Sequence, residues 1–118
     1  MTIRRGQVVW VSLSPSVGSE QEKLRPAIVV SNDAANRSVT RHNRGVVTVV
    51  PLTSSRAVAL PHQVSLSHVS TGLPSDSVAQ IEQVRAVDIS RIHDTTRQLP
   101  ATDLSQITHA LAVHLALR

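Results

Sequence analysis

Arg25 precedes Pro26 at the mouth of the apolar run Ala27-Ile28-Val29-Val30-Ser31 and follows the polar segment Gly18-Ser19-Glu20-Gln21. Proline fixes its own φ, lacks an amide donor and keeps the residue before it extended. Arg25 is therefore expected at the rim of a buried strand, where a permanently charged planar guanidinium can serve as a catalytic cation.

The six histidines do not add a metal site to this. His109 and His114 are five residues apart, about 140° around a helix, so one helix cannot bring them to a shared ligand. His62 and His68 lack a His-Glu-X-X-His context, and the chain has no cysteine to join them. No metal and no cofactor is expected. His42 stands apart because it lies among Arg37, Arg41 and Arg44.

With 118 residues the chain has room for one domain, spanning residues 1–118. The absence of cysteine excludes disulfides and thiol nucleophiles and fits a reducing compartment. No apolar stretch approaches the roughly 18 to 20 residues of a membrane span, and no signal-peptide pattern opens the chain, so a cytoplasmic protein with no membrane partner is expected. The net charge is +4, and all but one of the 12 cations are arginine. Arginine pairs bidentately with phosphate and stacks on bases, so this usage leans toward nucleic acid or an acidic protein partner.

These groups must be positioned by an aliphatic framework, since Trp10 is the one aromatic residue. Val-rich segments predict a small sheet or barrel. Gln7 to Leu13 reads as a strand apolar on both faces, Ala27 to Ser31 as a buried strand, Val46 to Leu52 as a third, and His62 to Leu66 as a half-buried one. Asn32 to Arg44 reads as an exposed basic loop. Ser77 to Val87 predicts a bent strand or two strands joined at a corner, and Asp88 to Arg91 a single helical turn. Thr102 or Asp103 can cap a C-terminal helix whose Leu104, Ile107, Leu111 and Leu115 form one stripe, to be covered by the sheet or by a second copy of the chain. An aromatic within a Val-rich strand is more often core, which reads Trp10 as a packing residue.

Five segments recur in a fixed order: Gly6-Gln7-Val8-Val9-Trp10-Val11, the Arg25-Pro26 strand, Val49-Val50-Pro51-Leu52-Thr53, Gly72-Leu73-Pro74-Ser75-Asp76-Ser77-Val78, and Glu82-Gln83-Val84-Arg85-Ala86-Val87-Asp88. Together they resemble the MazF/PemK family of bacterial toxin endoribonucleases, from about Gly6 to the C-terminus. The resemblance implies a mainly β fold with a C-terminal helix, an SH3-like small β-barrel paired into a homodimer. It also implies metal-independent, sequence-specific cleavage of single-stranded RNA, leaving a cyclic phosphate and a 5′-hydroxyl, with growth arrest as the outcome and an acidic antitoxin as partner.

Residue by residue, the resemblance makes Arg25 the cation on the scissile phosphate and Thr53 a hydroxyl donor to a non-bridging oxygen. Glu20 and Glu82 match acidic positions used in the MazF-like and PemK-like branches, and the choice of base stays open between them. Gln80 stands where the PemK-like branch has an arginine. Ser19, Gln21, Ser54, Asp76, Ser77 and Gln80 fall where the family presents polar groups to RNA, and Arg37, Arg41 and Arg44 would add positive charge. Two rivals are a gyrase-binding toxin resembling CcdB and a barrel that binds RNA or protein without cutting. CcdB-like chains end in Trp-Gly-Ile, whereas this one ends His114-Leu115-Ala116-Leu117-Arg118.

Overall fold

A computed structural model describes residues 2–13, 24–54 and 60–117. In chain order these form β1 (Gln7–Ser12), β2 (Leu24–Val29), α1 (Asp33–His42), β3 (Val46–Ser54), β4 (Val64–Leu66), α2 (His68–Thr71), β5 (Ser77–Ala79), β6 (Arg85–Asp88), β7 (Ile92–Gln98) and α3 (Ala101–His114). The strands pair antiparallel in the order β4-β5-β3-β2-β1-β7, with β6 pairing β3 off that path. The mainly β fold with a C-terminal helix is as expected. The sheet is open, however: β4 and β7 end the path and do not pair with each other.

β3 organises the sheet because it changes partners along its length. Val49 to Pro51 pair with β2, Val46 to Val49 pair with β6, and Leu52 to Ser54 pair with β5. Pro51 sits at the change. It has no amide hydrogen for a ladder, and its carbonyl accepts the Gln80 N–H at 2.9 Å instead.

Strand alternation sends neighbouring residues to opposite faces, and here both faces are filled. Val8, Ile28, Val50 and Leu52 belong to one core, together with Ile81 and Ile107. Val9, Val11, Ala27, Val29, Val47 and Val49 belong to the other, closed by Ile3, Val87 and Ile92. This accounts for strands that read as unbroken apolar runs.

α3 covers the first core through Ile107, which is fully buried, with Ala110 and Leu111 packed partly against it. The helix begins at Ala101 after Pro100, whose carbonyl accepts the Leu104 N–H at 3.1 Å, rather than at a Thr102 or Asp103 cap. Its far end carries Val113, Leu115 and Leu117 at the surface. No helix among the described residues is long and apolar enough to cross a membrane.

The segment expected as a basic loop is a helix, α1. Asn32 caps it by accepting the Ala35 N–H at 2.8 Å, and Asn43 ends it in the left-handed region at φ 49°. Its buried residue is polar: Asn36 donates to the Ser31 carbonyl at 2.9 Å and accepts the Ser31 hydroxyl at 2.6 Å. The corner expected between Ser77 and Val87 is present as β5, a 3-10 turn over Ile81–Gln83, and β6. A second 3-10 turn, Ile89–Arg91, stands where a helical turn was expected.

Candidate active site

The β2–β3 ladder runs Val29↔Val49, Ile28↔Val50 and Ala27↔Pro51. Arg25 lies two residues before the last of these pairs on β2 and Thr53 two residues after it on β3, and both line one cleft of about 270 Å³. Trp10, Leu24, Pro26 and Leu52 line it from β1, β2 and β3. The facing wall is the turn between α2 and β5, with Leu73, Pro74, Ser75 and Ser77. Ser54 closes the rim, paired with Ser77 across the β3–β5 ladder.

Arg25 is exposed, and among the described residues its guanidinium has no hydrogen-bond or ion-pair partner. Arg5, Arg85, Arg91 and Arg97 each donate to a backbone carbonyl. Arg25 is thus a cation held at a concave site without a structural duty. Thr53 beside it is half-buried and Ser77 nearly fully so. A cation and several hydroxyls around a small cleft can hold a phosphate and donate to its oxygens.

The wall is fixed from outside the cleft. Gly72 ends α2 in the left-handed region at φ 76°, and a Cβ there would meet the Arg97 guanidinium at 3.1 Å. Arg97 also donates to the Val69 carbonyl at 2.6 Å. Asp76 does not line the cleft: its carboxylate accepts the His68 backbone N–H at 2.8 Å and lies 2.8 Å from the His68 imidazole Nδ1. Those two bonds, the backbone one first, hold its acid below the ordinary aspartate range.

Glu82 also lies outside the lining. It accepts Gln63 Nε2 at 3.0 and 2.9 Å on its two oxygens, and its Oε2 is 3.0 Å from His62 Nε2. Partial burial pushes its acid up, but the Gln63 and His62 bonds outweigh this and leave it below the ordinary glutamate range. A carboxylate so held is a weaker base. Because Ile81–Gln83 is a 3-10 turn, strand alternation does not govern which way Glu82 and Gln83 face. Gln80 is half-buried and contributes its backbone to the β3–β5 junction rather than lining the cleft.

Arg37 and Arg41 on α1, and Arg44 between α1 and β3, are exposed and are not among the residues lining this cleft. Ser19, Glu20 and Gln21 lie outside the described residues. Among the described residues, no group of three His, Asp or Glu side chains is arranged as metal ligands.

The sequence reading did not single out Trp10, Leu24, Pro26, Leu52 or Ser75 as lining residues. Trp10 had a signal, as the one aromatic in the chain, but its strand context read as core. It packs partly on the first core and also opens onto the cleft.

An open antiparallel sheet backed by a C-terminal helix, with an arginine and several hydroxyls around a cleft where its longest strand changes partners, defines a small, mainly β protein. The chain belongs to the PemK-like, MazF-like toxins of type II toxin–antitoxin systems, whose family pattern matches residues 4–115. It is 47% identical over 115 residues to the endoribonuclease MazF9 of Mycobacterium tuberculosis, covering 98% of each chain. It is 34% identical over 117 residues to the endoribonuclease EndoA of Bacillus subtilis, covering 99% of this chain and 97% of that one. Among solved structures, the MazE–MazF complex of Deinococcus radiodurans is similar, with a TM-score of 0.80, 30% identity, and coverage of 100% of this chain and 99% of that one.

Proposed function

We propose that this toxin is an endoribonuclease that cuts single-stranded RNA in the Arg25–Thr53 cleft, without a metal. The ribose 2′-hydroxyl gives its proton to a base and attacks the adjacent phosphorus. The P–O5′ bond breaks, the 5′-oxygen takes up a proton, and the products are a 2′,3′-cyclic phosphate and a 5′-hydroxyl. Arg25 binds the phosphate and offsets the negative charge that grows on it, and Thr53 donates to a non-bridging oxygen. Preorganised donors of this kind contribute roughly 10²- to 10³-fold each.

The observation that carries this reading is that Arg25, unpaired among the described residues, and Thr53 line one cleft. The naming of MazF9 and EndoA as endoribonucleases supports it. Glu82 would have to leave Gln63 and His62 to act as base, which makes Glu20 the carboxylate to examine first.

The Deinococcus complex supports an antitoxin partner, and the net charge of +4 suits an acidic one. Pairing into a homodimer would cover Val113, Leu115 and Leu117, which α3 leaves exposed. The family match along residues 4–115 supports one toxin domain acting on cytoplasmic RNA. Purified protein incubated with mixed-sequence RNA and EDTA tests the reading. Cleavage that survives chelation supports it, and intact RNA favours a binding toxin. Sequencing the released 5′ ends then gives the recognition sequence.

A further inference from the structure

Along β1, Val8 and Ser12 are 0% and 1% exposed, yet Trp10, between them on the same face, is only half-buried. On the neighbouring strand Pro26, the register partner of Trp10, is half-buried between Ile28, 0% exposed, and Leu24, 45% exposed. The surface therefore opens at Trp10 and Pro26 and stays open at Leu24. Leu52, the residue after Pro51 on β3, is 2% exposed and packs in the same core as Val8 and Ile28. Trp10, Pro26 and Leu52 all line the cleft that Arg25 lines and give it an apolar floor, of which Trp10 and Pro26 are the more open part.

An apolar floor does nothing for a phosphate. The ligand that uses the whole cleft must carry an anion for Arg25 and, next to it, a flat apolar face for Trp10. We propose that the floor is a base-stacking subsite, on which the nucleobase adjoining the scissile phosphate lies against the Trp10 indole. This deepens the RNA-cleaving reading and rests on it. The indole is packed on its inner side by the core, so its position is set before the ligand arrives. Stacking accepts any base, because every base has a π-face. The hydroxyls of Ser54, Ser75 and Ser77 around the floor can each donate or accept, which suits the mixed donor and acceptor edges of a base. An acidic peptide with an apolar side chain shares the anion and the apolar face but lacks the flat π-face that stacks on an indole.

Trp10 is the one tryptophan and the chain has no tyrosine, so its emission reports on this floor alone. The probe is a short random-sequence single-stranded DNA, which has no 2′-hydroxyl and cannot be cut, with binding followed independently by anisotropy of a label on the strand. The expected result is a fall in Trp10 emission in step with binding, and no fall with an abasic strand that still binds through its phosphates. Trp10→Leu should raise KM roughly five- to hundredfold and move kcat less, and Trp10→Phe, which keeps a smaller aromatic face, should raise KM by less than Trp10→Leu does. Binding that leaves the emission unchanged, equal quenching by the abasic strand, or a response to an acidic peptide alone would overturn the subsite. A strand that does not bind at all would remove the RNA site together with its floor, whereas binding with silent emission removes the floor only.

Discussion

Glu82 Oε2 lies 3.0 Å from His62 Nε2, and the Gln63 amide reaches both oxygens of the same carboxylate. The pair ties the 3-10 turn after β5 to the segment that leads into β4. Glu82 titrates below its ordinary value in the folded chain, so its contribution to stability is present in full above the unfolded glutamate pKa. It is lost as the pH falls through the lower folded value. Thermal melts of wild type and Glu82→Gln should differ at neutral pH and converge as the pH falls through and below the ordinary glutamate range. A difference that persists unchanged into acid would show that the carboxylate's charge is not what stabilises the turn.

The same bonds bear on which carboxylate takes the proton. With Glu82 held by Gln63 and His62, Glu20→Gln should lower the cleavage rate by roughly 10²- to 10⁴-fold and remove the acidic limb of the pH–rate profile. Glu82→Gln should keep that limb. Rate measurements across pH on both variants check this, and the reverse pattern would assign the base to Glu82.

α3 and the residues just after it carry two kinds of apolar side chain. Ile107 is 0% exposed in the first core, whereas Leu117 is 70% exposed. Ile107→Ala should cost about 2 to 5 kcal/mol in denaturant unfolding, because the cavity cannot be refilled from an aliphatic core without large side chains. Leu117→Asp should leave the fold intact and shift the chain from dimer toward monomer in sedimentation. An unchanged sedimentation coefficient would place the interface elsewhere.

The three central strands were legible because valines filled both faces and left no ambiguity about burial. α1 was not, since hydrophobic periodicity looks for an apolar stripe and this helix is anchored by Asn36 on Ser31, with Val39 the strong apolar residue on its inner side. Its caps at Asn32 and Asn43 were visible in the sequence but read as loop chemistry. β7 escaped notice for a related reason: it is an edge strand in which Ile92 alone is buried, and its remaining residues are polar. At the cleft, ordered motifs named Arg25, Thr53, Ser54 and Ser77. That Arg25 and Thr53 come to one cleft is a long-range property, as is the opening that turns Trp10 from packing residue to cleft wall.

The central claim is that Arg25, in one cleft with Thr53, holds the phosphate that is cut. The most direct measurement is cleavage of a mixed-sequence RNA by Arg25→Ala and Thr53→Ala proteins whose circular dichroism and melting match wild type. The account predicts no detectable products from Arg25→Ala and a rate about 10²- to 10³-fold below wild type for Thr53→Ala. Wild-type turnover by folded Arg25→Ala would contradict it.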